Sequence, residues 1–346
     1  MKTMFLTGIR QMEIRERPMP EIVNDTDVLI RMKVVGVCGS DIHYYTTGKI
    51  GTQVVTYPFP VGHEGAGEVV AVGEKVKSLK IGQRVAIEPA MPCHECDQCK
   101  QGRPHTCRKL KFLGCPGQAE GCLSEYIAMP EANCLPIADS LTYDDAAISE
   151  PLSIGVYALR LAQMDIRNKT IGILGFGPIG MSVMLPAILR GAGQVYVTDK
   201  IDERLLIAKA CGPAWTGNPA KSDVVAQIKE QEPRLLDVVF ECCGQQEAVD
   251  QAIELLKPGG KLLIIGIPEF SRWSFPVDQM RHKEICVQNV RRQNNAVHET
   301  LDMLAQKKVD ISRMATHRFR FEQTKEAFDL VAAYSDGVMK AMIDFD

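Results

Sequence analysis

The sequence predicts an α/β protein with a β-rich first part and a doubly wound parallel-sheet domain behind it. Three observations carry this. Residues 1 to about 150 are rich in Gly, Pro and Cys with short β-like runs, and four of the cysteines form a C-x2-C-x2-C-x7-C series. From about Thr170 the pattern becomes apolar strand, glycine turn and helix, repeated. A G-x-G-x-x-G opens that repeat at Gly175. A chain of 346 residues has the length of about two domains.

In the first part, VLIRMKVVGV (Val28 to Val37) and GEVVAVG (Gly67 to Gly73) read as strands, rich in β-branched residues and bounded by glycine. Between them and the second part stand Cys93, Cys96, Cys99 and Cys107. Four thiolates so closely spaced can surround one zinc ion tetrahedrally, and such a closed site has no position left for a substrate. This zinc is expected to be structural, so the chemistry must lie elsewhere. Twelve cysteines behind a start that turns charged at once, MKTMFLTGIRQMEIRERP, suggest metal binding in a reducing, cytoplasmic setting rather than a disulfide framework. Lys plus Arg count 40 against 43 for Asp plus Glu, and no basic patch stands out, so nucleic acid is not an expected partner. No apolar run has the length of a membrane span.

The second part alternates IGILGF (Ile171 to Phe176), a helical segment, QVYVTD (Gln194 to Asp199), a second helical segment, DVVFECCG (Asp237 to Gly244), a third, and KLLIIGI (Lys261 to Ile267). Strands separated by helices imply βαβ crossovers and a parallel sheet. Gly175, Gly177 and Gly180 follow the first strand and open its helix, and an acidic residue, Asp199, ends the next strand. That context makes the motif a dinucleotide site of the Rossmann type. The first glycine permits the turn, the second admits the pyrophosphate, and the third lets helix and strand pack closely. Pro178 and Ile179 begin the helix whose free N–H groups face phosphate. Asp199 can accept from both adenosine ribose hydroxyls and repels a 2′-phosphate, which favours NAD over NADP; Lys200 and Arg204 nearby soften that preference. Gly266 and Ile267 complete the expected cofactor set. After about Val290 come a helix, HETLDMLAQKKV, and a short β/α tail.

A second group of metal-type ligands, Cys38, His63, Glu64 and Glu150, would be dismissed one by one, since a lone buried cysteine is usually a small hydrophobe. Their neighbours alter that. GHEGAGEVVAVGEKV (Gly62 to Val76) matches the zinc signature of the medium-chain alcohol dehydrogenases. CGSDIHYYTTGKIG (Cys38 to Gly51), VAIEPAMPCHECDQCKQG (Val85 to Gly102), EPLSIGVYA (Glu150 to Ala158), GFGPIGM, VTDKIDERL and THRF (Thr316 to Phe319) resemble the polyol, or sorbitol, dehydrogenase branch, in order and over almost the whole chain.

The resemblance implies a GroES-like β catalytic domain, residues 1–152 plus 290–346, around an inserted Rossmann domain, 153–289. It implies two zinc ions per chain. Cys38, His63 and Glu64 match positions that hold the catalytic one, and Glu150 matches a position that binds it directly or through a water. The classical alcohol dehydrogenases carry Cys at that last position. Ser40 matches the relay hydroxyl, His43 stands at the spacing of the relay histidine, and Glu150 is an alternative proton acceptor. Tyr44 or Tyr45, Phe112, Glu150, Arg291 and Arg292 correspond to the substrate-facing region. Arg292 stands where the sorbitol enzymes usually have an aromatic residue, and a guanidinium favours a carboxylate, a phosphate or several hydroxyls. The implied activity is oxidation of a secondary alcohol of a small polyol or sugar derivative with NAD. The same chemistry on a sugar acid or L-threonine is an alternative, and a non-catalytic sensor or structural protein that binds NAD and zinc is a reading of another class. Relatives are homo-oligomers, tetramers or dimers, and the same is expected here.

Overall fold

The computed structural model describes residues 1–345. The chain forms two compact units, Met1–Glu150 with Val297–Lys307 and Ala315–Asp346, and Pro151–Ala296 with Lys308–Met314.

The first unit is organised by one long strand, Asp27–Gly36. The run that forms it alternates little, because both its faces are covered: Val28, Ile30, Met32 and Val35 are all buried. Glu64–Val72 pairs antiparallel along one edge. The other edge is shared, by Tyr126–Pro130 near its start and by Lys340–Asp344 at its end. Arg84–Ile87, Cys134–Pro136 and Ala315–Arg320 complete a seven-stranded sheet. Its core joins Val69, Val85, Leu123, Phe328 and Ile343 to those side chains. Full burial of each such residue contributes about 1.5–3 kcal/mol. The register sets Gly36 opposite Glu64 on one side and opposite Met342 on the other. The ends of three strands therefore meet beside the turn that leads into the helix Gly39–Thr47.

The second unit holds six parallel strands in the order Trp215–Gly217, Gln194–Thr198, Thr170–Leu174, Leu236–Glu241, Leu256–Ile264, Cys286–Asn289. In chain order this is 3-2-1-4-5-6, the doubly wound arrangement, and the strand order reverses between Thr170–Leu174 and Leu236–Glu241. The expected parallel α/β sheet is thus present. Leu236–Glu241 is buried along its whole length, as a strand covered by helices on both faces must be. The helix Gln246–Leu255 shows the matching pattern, with Ala248, Val249, Ala252, Ile253 and Leu255 buried on one face. Among the described residues, no helix is long and apolar enough to cross a membrane.

Candidate active site and metal centres

Cys38 is the N-cap of the helix Gly39–Thr47, and His63 and Glu64 open the strand Glu64–Val72 or precede it by one residue. One ligand atom from each of the three lies within 4.8 Å of the others. His63 and Glu64 are buried and Cys38 is half-buried. Asp41 ties the two segments together: its Oδ1 accepts from Gly62 N at 3.2 Å and its Oδ2 from Cys38 N at 3.3 Å. The same carboxylate stands 3.4 Å from His63 Nδ1, which fixes the ring and leaves Nε2 for a metal. Ser40 Oγ donates to Cys38 Sγ at 3.3 Å. Glu150, on the helix Tyr143–Leu161, is 5% exposed.

The cluster sets buried acidic and basic groups in one another's field. Burial pushes the Glu150 carboxyl up to about 7, and Glu64 and Glu88 add to that shift. Burial alone would lower the His63 pKa, but Asp41 and Cys38 reverse it and hold it well above the usual imidazole range. Lys340, 2% exposed, sits in the same field: burial works against its charge, and Glu64 and Cys38 outweigh burial. Cys38, His63 and Glu64 offer one sulfur, one imidazole and one carboxylate, a donor set that fits zinc, and Glu150 is not within the same reach of all three.

The four-cysteine lobe is built separately. Cys96 caps a single helical turn, Asp97–Lys100. The sulfurs of Cys96 and Cys99 are 3.6 Å apart, those of Cys96 and Cys107 3.9 Å, and those of Cys107 and Cys93 3.4 Å. All four are free of disulfides. A zinc–sulfur distance of about 2.3 Å gives tetrahedral S···S edges of roughly 3.8 Å, so the four sulfurs suit one ion. Backbone N–H groups of Cys93 and Lys109 each reach Cys107 Sγ at 3.3 Å, and the Cys99 and Arg108 amides draw the Cys96 thiol down to about 6. Arg108 with Asp97 (2.8 Å) and Lys109 with Glu95 (2.6 Å) brace the lobe from outside.

In the second unit, Gly175 takes φ 93°, a conformation that favours glycine. Gly177 is the N-cap of the helix Pro178–Leu189, with Pro178 at its first turn. A side chain at Gly180 would strike the Gly175 carbonyl. Asp199, 8% exposed, holds the loop from the next strand: its Oδ2 accepts from Phe176 N at 2.6 Å and its Oδ1 from Ile201 N at 2.8 Å. Arg204 Nη1 lies 3.3 Å from the point where a Cβ of Gly177 would stand, so a guanidinium borders the glycine turn. The loop after Leu236–Glu241 is held by Glu241, whose Oε1 accepts from Cys243 N at 2.8 Å and from Gly244 N at 2.6 Å. Gly266 and Ile267 follow the neighbouring strand, with Ile267 44% exposed. These loops leave the carboxyl ends of strands at the switch point, where a dinucleotide binds in this fold, and the bare backbone of the glycine turn fits its pyrophosphate.

Comparison with known proteins agrees with both halves. Residues 24–139 match the family model described as the alcohol dehydrogenase GroES-like domain, and residues 178–306 that described as zinc-binding dehydrogenase. A sorbitol dehydrogenase of Bacillus subtilis (strain 168) is 36% identical over 99% of this chain and 97% of its own. The chain belongs to the zinc-dependent medium-chain dehydrogenases, in their polyol dehydrogenase branch. An L-idonate 5-dehydrogenase of Vitis vinifera is 33% identical over 98% of this chain and 93% of its own. Among solved structures, galactitol-1-phosphate dehydrogenase from Escherichia coli superposes with a TM-score of 0.91 at 26% identity and full coverage of both chains. The chain is therefore an oxidoreductase acting on CH–OH groups, with zinc and a nicotinamide dinucleotide as cofactors.

The residues expected at a dehydrogenase site fall in several places. Cys38, His63 and Glu64 meet, with Ser40 bonded to the Cys38 sulfur, and His43 is half-buried further along the same helix. Phe112 packs on His63, ring centroids 5.2 Å apart. Tyr45, expected at the substrate, is instead a core residue: it is fully buried, its ring meets Phe328 edge-on at 5.5 Å, and its hydroxyl is committed to Asp329 at 2.6 Å. The helix Gly39–Thr47 turns that side chain toward the helix Thr324–Ala332, so the hydroxyl has no freedom to meet a ligand. Tyr44, also buried, donates to Gln53 Oε1 at 3.3 Å. Arg291 is exposed and Arg292 half-buried, both after the edge strand Cys286–Asn289, with Arg292 in a left-handed conformation at φ 55°. Asp41, Glu88, Glu241 and Lys340 were not singled out from the sequence. Asp41 lay in plain view inside CGSDIH, and Lys340 is a lone cation in the apolar run VMKAMI.

Proposed function

We propose that the chain oxidises a secondary hydroxyl of a polyol or sugar derivative to the ketone, passing hydride to NAD. The Cys38, His63 and Glu64 cluster, with Glu150, would hold the catalytic zinc, and the four-cysteine lobe the structural one. The observation that carries this reading is the half-buried Cys38 sulfur meeting the buried His63 imidazole and Glu64 carboxylate, with Asp41 behind His63, in a chain whose other unit is a dinucleotide fold. Zinc, when bound, supplies the Lewis acidity that lets a hydroxyl ionise near neutral pH. The chain's own groups then handle the proton. Ser40 stands beside the Cys38 sulfur to receive it, His43 in the same helix is the next carrier, and Glu150, poised near neutrality by burial, is a second acceptor. Phe112 against His63 keeps one wall apolar. Asp199 supports NAD over NADP. A homo-oligomer, dimer or tetramer, in the cytoplasm completes the proposal.

Arg292 favours a narrower version, in which the substrate carries an anionic or densely hydroxylated end, because a guanidinium pairs with carboxylate or phosphate through two parallel bonds. The test is a panel of neutral polyols, sugar acids, sugar phosphates and L-threonine, offered with NAD or NADP while NADH absorbance is followed. Turnover with a polyol or sugar derivative and NAD is expected, and Arg292→Tyr should weaken anionic substrates while sparing neutral polyols. Zinc and NAD both bound with no turnover on any substrate would favour the non-catalytic reading.

A further inference from the structure

The segment that carries Arg291 and Arg292 is short and held at both ends. It leaves the sheet at Val290, whose N donates to Ile264 O at 2.8 Å, and it ends at Ala296, which is fully buried. Between these points Arg292 takes φ 55° and Asn295 φ 50°. Residues other than glycine adopt that left-handed conformation rarely, asparagine more readily than arginine, so the shape of the turn has to be imposed. Two contacts impose it. Gln293 Oε1 accepts from Ala296 N at 2.8 Å and closes the turn from within. From outside, one nitrogen of Arg160, Nη1, donates to two consecutive carbonyls, Asn294 O at 3.0 Å and Asn295 O at 3.2 Å. Arg160 is exposed and lies in the last turn of the helix Tyr143–Leu161. A cation there complements the helix end, but that role asks only for charge. Bonds to two successive carbonyls also fix a direction, and bonds from a charged donor are stronger than neutral ones.

We propose that Arg160 is a positioning residue for the substrate: by clamping the Asn294 and Asn295 carbonyls it holds the left-handed turn that presents Arg292, and so sets the preference for an anionic or densely hydroxylated substrate end. Arg160 acts through that turn and not on the substrate itself. The inference rests on the reading of Arg292 given above.

The test is a double-mutant cycle of Arg160→Ala and Arg292→Tyr, made singly and together. KM and kcat are measured for a sugar acid, a sugar phosphate and a neutral polyol, with the Kd for NADH from its fluorescence and the thermal midpoint of each variant. Arg160→Ala is expected to raise KM for the anionic substrate about fivefold, to leave kcat, KM for the neutral polyol and the Kd for NADH within about twofold, and to add little in the Arg292→Tyr background. Free guanidinium ion should recover part of the loss in Arg160→Ala. Arg160→Lys keeps the charge without the planar fork, and it takes the place of Arg160→Ala in the cycle if that variant does not fold. A lower thermal midpoint with unchanged KM values, the result for an arginine that only complements the helix end, overturns the clamp. Losses that add in full in the double variant overturn it too. An Arg292→Tyr variant that alters no substrate overturns the reading of Arg292 itself, a result distinct from an effective Arg292→Tyr with an independent Arg160→Ala.

Discussion

Cys38→Ser is expected to abolish turnover in a protein that still folds, whereas Cys99→Ser should lower stability and leave activity in each molecule that remains folded. Both lose one thiolate, and the difference lies in what each thiolate holds. Cys38 sits among His63, Glu64 and Asp41 at the meeting of three strand ends, where Asp41 and the sheet keep the backbone in place without the sulfur. Cys99 belongs to a lobe whose regular structure is two single turns, Asp97–Lys100 and Pro104–Thr106, so the ion and its four sulfurs are most of what orders it. The measurements are kcat with saturating substrate and the thermal midpoint of each variant. A Cys38→Ser enzyme that keeps more than about a tenth of the parent kcat, a change of only about 1.4 kcal/mol in barrier, would remove Cys38 from the catalytic centre.

The second large effect is expected at Asp199. Replacement by Ala should lower the ratio of kcat/KM for NAD over NADP by about tenfold or more, since a charged hydrogen bond contributes on the order of 1.5–3 kcal/mol and tenfold is about 1.4. Two changes combine. The ribose loses an acceptor, and a 2′-phosphate loses a repelling charge beside Arg204. Asp199 also binds the Phe176 and Ile201 amides, so KM for NAD should rise in absolute terms as the glycine turn loosens. Kinetics with both cofactors separate these: a higher KM for both with an unchanged ratio would mean that Asp199 only supports the loop.

Much of this was legible in the sequence because the relevant signals are local. The cysteine run and the glycine turn are fixed by spacing, and alternating strand and helix segments specify a parallel sheet before any long-range contact is known. The pairing of Cys38 with His63 and Glu64 is of a different kind. It depends on an antiparallel register that sets Gly36 against Glu64, and only the neighbouring motifs betrayed it. Lys340 was out of reach for the same reason: some 300 residues of chain separate it from Gly36, and a single lysine in a strand reads as an edge charge unless its partner is known. Tyr45 shows the reverse error. A helix presents adjacent residues about 100° apart, yet Tyr44 and Tyr45 are both buried in the same core, and the Tyr45 ring is the one that meets Phe328.

The zinc-dependent dehydrogenase chemistry proposed for the Cys38, His63 and Glu64 cluster is tested most directly by following zinc content and NADH production together during chelation. Two zinc ions per chain are expected at the outset. The labile one should leave in step with activity, and the thermal midpoint should stay close to its starting value until the second follows. Restoring zinc should restore turnover. Full NADH production after loss of the labile ion, or a single tightly held zinc in a fully active protein, would contradict a metal at Cys38, His63 and Glu64.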